Sequence, residues 1–168
     1  MKTLGRAVGI IFTCIMAAVF YGIVHDMVTA HVCVEYFTVA HPVVVFTDSP
    51  VTLALIWGVL AAWWVGLILG IPLAIAALAG SRPRVAVTQL LPRIGRLLTI
   101  MGACALLAGI VGCVLNKSGA IFLVPPFADD IPKSHHAGFF FDAFAHMASY
   151  IVGFVGGLVL VYKVWRSR

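Results

Sequence analysis

Four long stretches of apolar residues, separated by shorter polar segments, dominate the pattern of this 168-residue chain. They lie at about residues 7–26, 51–79, 94–115 and 135–164. Each is at least about as long as the roughly 20-residue helix that crosses the hydrocarbon core of a bilayer. The pattern therefore predicts an all-α membrane protein, a four-helix transmembrane bundle in which residues 1–168 form a single transmembrane domain.

The polar segments form two loops on one side of the membrane, 27–50 and 116–134, and one loop on the other, 80–93. Residues Val28 to Val39 are rich in β-branched and aromatic side chains, which favours an extended strand over a continued helix. In a strand His31, Cys33 and Glu35 share one face, whereas in a helix His31 and Glu35 pair one turn apart. A small cap that contains short β-strands, with residues 119–124 as a second strand, is one arrangement that these loops allow.

The second span begins with a clear helix signal and contains a helix breaker. Ser49 can cap a helix whose first residue is Pro50. Pro72 lacks a backbone N–H and predicts a bend in the interior of the span. Two small-xxx-small patterns predict close packing inside the bundle, with subunit contact in a homo-oligomer as the alternative: Gly66-x-x-x-Gly70 and Gly153-x-x-x-Gly157.

The composition agrees with a membrane location. Hydrophobic residues make up 62% of the chain and charged residues 10%, and the mean hydropathy is +1.10, whereas charged residues are about 25% of a soluble domain. The lipid bilayer is therefore the expected partner. The net charge is +5, but the basic residues stand in short groups at the ends of the apolar stretches, which argues against a nucleic-acid-binding surface.

The basic residues also predict the orientation. If the N-terminus, the 80–96 segment and the C-terminus share one side, nine basic residues lie there, against Lys117 and Lys133 opposite. The positive-inside rule makes that side cytoplasmic, so we expect a multi-pass protein of the cell (inner) membrane with both termini in the cytoplasm and an extracytoplasmic cap. The nine are Lys2, Arg6, Arg82, Arg84, Arg93, Arg96, Lys163, Arg166 and Arg168. All six acidic residues then fall on or near the extracytoplasmic side.

Histidines and carboxylates gather at the extracytoplasmic ends of the first and last spans. Counting roughly 20 residues from the basic residue at the start of the first span reaches His25 and Asp26, and counting back from Lys163 reaches Asp142 and His146. We therefore expect these four side chains at a similar depth. Asp142 and His146 lie one helical turn apart on one face of the last helix.

Histidine and carboxylate side chains are the ligands that zinc, iron and, with more histidine, copper prefer. We therefore predict a divalent transition-metal site, and the sequence leaves open whether the protein is a metalloenzyme. If it is, the ion serves as a Lewis acid or redox centre, with Glu35 or Asp26 as proton acceptor. The candidate ligands are His25, Asp26, Glu35, His41, His135, Asp142 and His146.

Other interpretations of the same residues stay open. A b-type haem would use two of His25, His41 and His146 as axial ligands. A non-catalytic accessory or transport subunit would use the acids to steer a cation or a membrane partner protein. The polar side chains would otherwise only orient helix ends through interfacial hydrogen bonds. Cys33 and Cys113 both fall toward the extracytoplasmic side, so a disulfide between them is a further possibility.

The run His25-Asp26-x-Val28-Thr29 … Glu35-Tyr36-Phe37-Thr38-x-x-His41-Pro42, together with His146 through Gly153, resembles an uncharacterised family of bacterial integral membrane proteins of this length. The resemblance would cover most of the chain. It implies four membrane spans. It supplies no activity and no catalytic residue.

Overall fold

The computed structural model describes residues 2–167, which are helical apart from short connections and contain no β-strand. Four long helical segments run back and forth as a bundle, and short helices lie in the connections. The α-helices are α1 (Lys2–Val32), α2 (Glu35–Thr38), α3 (Pro50–Leu60), α4 (Trp63–Leu78), α5 (Val87–Lys117), α6 (Phe127–Asp130) and α7 (His136–Ser167), with a 3₁₀ turn at Lys133–His135.

Four of these segments are long and apolar enough to cross a membrane. They are Thr3–Val32, Pro50–Leu78, Val87–Lys117 and Lys133–Ser167. This confirms the all-α architecture with four spans that the apolar pattern predicts. The first, third and fourth spans extend beyond the predicted apolar stretches at both ends, because a helix continues to satisfy its own backbone hydrogen bonds where the apolar run ends.

The second span consists of α3 and α4, and it begins as the sequence predicts. The Ser49 side chain accepts a hydrogen bond from the backbone N–H of Thr52 at 3.4 Å, and Pro50 is the first helical residue. The interruption between the two helices lies at residues 61–62, whereas α4 continues through Pro72. The bend expected at Pro72 stays a prediction, because α4 is unbroken there. A membrane helix tolerates proline where neighbouring groups compensate for the missing hydrogen bond.

The strand predicted between Val28 and Val39 is also wrong. Helix α1 continues to Val32, and after a short turn the chain forms the four-residue helix α2. Residues 119–124, the second predicted strand, form turn and irregular structure, and the Asn116 side chain donates a hydrogen bond to the Ile121 carbonyl there. β-Propensity reflects packing in a sheet, and without a partner strand a helix satisfies the backbone groups at the membrane boundary better.

The helices form two closely packed pairs. Helix α1 packs along α3 and α4, helix α5 packs along α7, and α4 joins the pairs by contacting α7. Glycines make the first pair close: a Cβ on Gly58 would lie 2.5 Å from the backbone nitrogen of Ile23, and a Cβ on Gly66 would lie 2.6 Å from the Cα of Ile15. The predicted small-xxx-small patterns therefore pack inside the bundle, since Gly70 faces α1 and Gly153 faces Met101 of α5.

The two ends of the bundle differ in charge. At one end, which we call the basic end, Arg82 donates a hydrogen bond to the Trp165 carbonyl and Arg93 to the Ser167 hydroxyl. The basic end thus contains the 79–86 connection, the end of α7 and the start of α1. Two of its predicted basic groups, Arg168 and the Lys2 side chain, lie outside the described residues. The other end, which we call the polar end, carries all six acids.

Candidate metal centre

His146 of α7 lies at the centre of the polar end. Its Nδ1 lies 2.8 Å from the backbone carbonyl oxygen of Asp142, one turn earlier. A carbonyl oxygen only accepts hydrogen bonds, so Nδ1 carries the proton and donates. In the neutral ring, Nε2 then holds a lone pair. This nitrogen faces Asp26 of α1, whose Oδ1 lies 3.2 Å away.

The contact between His146 Nε2 and Asp26 Oδ1 requires a cation. A nitrogen lone pair and a carboxylate oxygen repel each other at 3.2 Å unless a proton or a metal ion lies between them. Solvent water can do little to weaken this repulsion, because the side chains of His146 and Asp26 are only 12% and 6% exposed. The contact is therefore either a hydrogen bond through one shared proton or one edge of a metal site.

His25 of α1 completes the group. The ring centroids of His25 and His146 lie 4.5 Å apart in an edge-to-face arrangement. His25 Nε2 is buried and, within residues 2–167, has no hydrogen-bond partner. One potential ligand atom from each of His25, Asp26 and His146 lies within 4.8 Å of the others. The two spans that the sequence predicts to meet at this depth thus place two imidazoles and one carboxylate around a common point.

Asp142 occupies the turn of α7 before His146, but its carboxylate is not one of this group. The residue is fully buried, and neither carboxylate oxygen has a hydrogen-bond partner among the described residues. Its backbone carbonyl serves the site by holding His146. The side chain is a second buried carboxylate near the cluster, close enough to Asp26 for the two to interact electrostatically.

Glu35 and His135 form a separate ion pair. Glu35 Oε1 lies 2.7 Å from His135 Nδ1, and the Cys33 thiol donates to Glu35 Oε2 at 3.4 Å. Partial burial alone raises the pKa of the Glu35 carboxyl, but hydrogen bonds from its own backbone, His135 and Cys33 outweigh that effect and hold the pKa below its ordinary value. Burial together with the Glu35 hydrogen bond raises the pKa of the Cys33 thiol to about 12. The pair therefore joins α2 to the residues that precede α7, and burial favours the protonated thiol of Cys33.

His41 also binds within the outer segment. Its Nδ1 donates to the Tyr36 carbonyl at 2.7 Å, and its ring packs against Tyr36 and Trp57. Tyr36 in turn contacts His146, with ring centroids 4.7 Å apart. The aromatic ring of Tyr36 thus packs against both histidines and forms part of the cover of the site. The four cysteines are free thiols, so the structure contains no bond between Cys33 and Cys113.

The seven candidate ligands of the sequence analysis therefore fall into four positions. His25, Asp26 and His146 lie together. Asp142 is buried beside them, His41 packs in the aromatic cover, and Glu35 and His135 bind each other.

A cavity of about 130 Å³ extends from the cluster into the bundle. It lies between the two helix pairs and is lined by residues of α1, the α3–α4 span, α5 and α7. Its polar lining is concentrated at the polar end: Tyr21, His25, Asp26, His146, Ser149 and Tyr150. Beyond these residues the lining is apolar and reaches Leu73 and Leu160.

Tyr21 and Ser149 are site residues that the sequence analysis missed. The Tyr21 hydroxyl and the Ser149 hydroxyl lie 2.7 Å apart and join α1 to α7 one helical turn from the cluster, on the side of the basic end. Their spacing could have indicated them, because Tyr21 precedes His25 by one turn and Ser149 follows His146 by one turn.

Comparisons with known proteins attach no family to the chain: no family model matches it, and neither a curated protein nor a solved structure shows significant similarity.

Proposed function

We propose that this protein is an integral membrane protein that binds one divalent transition-metal ion through His25, Asp26 and His146. The proposal places the polar end on the extracytoplasmic side of the cell membrane, with both termini in the cytoplasm. The excess of basic residues at the basic end supports that orientation.

The observation that carries the proposal is the contact of His146 with Asp26. The Asp142 carbonyl fixes the proton on His146 Nδ1, so the lone pair of Nε2 faces a carboxylate oxygen in a buried position. A hydrogen bond from the far nitrogen to a carbonyl is the usual way in which proteins orient a metal-binding histidine. His25 adds a buried nitrogen without a partner among residues 2–167.

The geometry accommodates an ion after small side-chain movements. With bonds of about 2.1 Å, atoms separated by the 3.2 Å of His146 Nε2 and Asp26 Oδ1 subtend roughly 100° at the metal. Ligand atoms of a tetrahedral ion lie roughly 3.4 Å apart, so the 4.8 Å limit of this group requires a closure of at most about 1.4 Å. Rotation of the His25 or Asp26 side chain supplies a movement of that size.

Two histidines and one carboxylate suit zinc, or iron in an oxygen-activating or redox centre. Three protein ligands leave at least one coordination position for water or substrate, which is the arrangement of catalytic rather than structural sites. An ion there would supply Lewis-acid or redox chemistry. This chain would contribute the orientation of His146 through Asp142, and the exclusion of bulk water by the packing of Tyr36 over the ring.

Metal content and an absorption spectrum, measured on protein purified in mild detergent without chelator, test the proposal. We expect about one ion per chain, and loss of the ion in His146→Ala. His31→Ala is a matched control, because His31 Nδ1 makes the same hydrogen bond to the carbonyl one turn earlier, that of Met27, but the side chain is exposed at the surface. No metal after reconstitution with zinc, iron(II) and copper would refute the proposal, and the contact would then be a hydrogen bond between His146 and Asp26.

The same spectrum tests the haem alternative. The edge-to-face contact of His25 with His146 leaves no gap for a porphyrin between these two rings, so a haem would require a different ring arrangement or the use of His41. A Soret band would favour haem. A protein with neither metal nor chromophore that co-purifies with another membrane protein would favour the accessory-subunit alternative.

A further inference from the structure

The cavity beside the cluster has the shape and chemistry of a site for an amphipathic molecule. Along α1 its lining runs from Asp26 to Cys14, twelve residues apart, or about 18 Å at the helical rise. Along α7 it runs from His146 to Val161, about 22 Å. The cavity is thus a long, narrow space parallel to the helices, open in part at the side.

The two ends of this space differ in polarity. One end holds the candidate metal ligands and the hydrogen-bonded hydroxyls of Tyr21 and Ser149. The remainder is bordered by aliphatic side chains such as Leu73, Leu98 and Leu160. A purely polar substrate would leave the aliphatic part unfilled, and a purely apolar one would leave the hydroxyls and the open metal position without a ligand.

Charge identifies the head of the molecule. A divalent ion with two neutral histidines and one carboxylate as ligands carries a charge of +1, and the buried Asp142 carboxylate beside them is not one of the proposed ligands. An oxygen anion neutralises that charge and can occupy the open coordination position. The hydroxyls of Tyr21 and Ser149 are bonded to each other, which uses one of their two O–H groups and leaves the other to donate a hydrogen bond to a second oxygen.

We propose that the cavity binds a single-chain lipid carboxylate, with its head at the His25, Asp26 and His146 cluster and its apolar chain between the helix pairs. The proposal rests on the proposed function for the metal that holds the head. Helices α1 and α5 both line the cavity and pack sparsely against each other, so the proposal has lipid enter from the bilayer between them.

Binding of tritiated laurate to the full chain in nanodiscs, with and without zinc, tests this inference. Tritiated acetate, which has the head without the chain, runs in parallel, and dodecanol tests a neutral head on the same chain. We expect laurate to bind about tenfold more tightly with zinc than without it, and to displace dodecanol. Acetate should bind far more weakly than laurate.

Two leucine substitutions separate binding in the cavity from partition into lipid. Ala18→Leu places a larger side chain in the lining two turns from His25, and we expect laurate binding to fall by about tenfold while zinc binding is retained. Ala103→Leu is the matched control, because this alanine is exposed on α5 and does not line the cavity.

The outcomes distinguish the two proposals. Zinc binding with laurate binding equal in wild type and Ala18→Leu overturns the lipid site and leaves the metal site standing. Absence of zinc binding overturns the metal site, and laurate binding that is then insensitive to zinc overturns the metal-bound head. Preferential binding of dodecanol would also overturn the proposal, because it would assign a neutral head to the site.

Discussion

The close contact between α1 and α3 provides a sharp test of how the site is positioned. Gly58 of α3 lies against the backbone of α1 at Ile23, two residues before His25. In Gly58→Ala the new Cβ would lie 2.5 Å from the Ile23 nitrogen and 2.6 Å from its Cα, whereas ordinary contacts begin at 3.4 Å. Both neighbours are backbone atoms and cannot rotate away. Helix α1 must therefore move by about 0.9 Å, the difference between 3.4 and 2.5 Å.

We expect this movement to reduce both stability and metal binding. Overpacking of this kind costs about 1–3 kcal/mol, or roughly 2–12 °C in Tm for a chain of this size. The displaced helix carries His25 and Asp26, while His146 stays on α7, so metal affinity should fall roughly tenfold or more. Thermal unfolding in detergent and a zinc titration measure the two effects.

Gly95→Ala on α5 is the matched control, because nothing lies within 4 Å of the added Cβ. Alanine is the better helix former, so this variant should be more stable by about 0.5–1 kcal/mol with unchanged zinc affinity. If Gly58→Ala behaves like Gly95→Ala, the close α1–α3 contact does not position the ligands and the reasoning fails.

Three further predictions concern single polar groups. Asp142→Asn should leave Tm unchanged or higher, because it removes a buried carboxylate without partners in the described chain; a large loss of Tm would contradict this. Glu35→Gln should lower Tm at pH 7 by the equivalent of about 0.5–1 kcal/mol. Because the pKa of Glu35 is lowered in the folded protein, the stability that its carboxylate contributes is complete above the unfolded-state pKa of 4.5 and is lost as the pH falls below it, so the difference from wild type should vanish in acid. Equal differences at both pH values would exclude the ion pair with His135 as the cause. Ser49→Ala should cost about 0.5–1 kcal/mol through loss of the cap on Thr52, and an unchanged Tm would show that the 3.4 Å bond contributes nothing.

Helix geometry explains what the sequence could predict about the site. Each residue of a helix adds a constant rise, so counting from basic anchors placed His25 and Asp26 at the depth of His146. The structure brings these three together. The count gives depth but not the direction of a side chain around the helix, so it predicted Asp142 and His146 alike as ligands, whereas the structure groups only His146 with His25 and Asp26.

The outer segment could not be predicted in the same way. The path of residues 33–49 depends on tertiary contacts such as the 2.7 Å pair of Glu35 with His135 and the packing of Tyr36 on His146. These contacts join residues about one hundred positions apart, and no local pattern encodes them. For the same reason β-branched composition favoured a strand where the structure has the end of α1 and a short helix.

The division of the bundle into two helix pairs has a consequence for biosynthesis. The first pair, α1 with α3 and α4, is complete before α5 is synthesised, and it carries His25 and Asp26. His146 arrives with α7, which is synthesised after α5. During synthesis, therefore, the first half of the chain holds two of the three clustered residues, and the cluster of His25, Asp26 and His146 can form only after α7 has packed against α4.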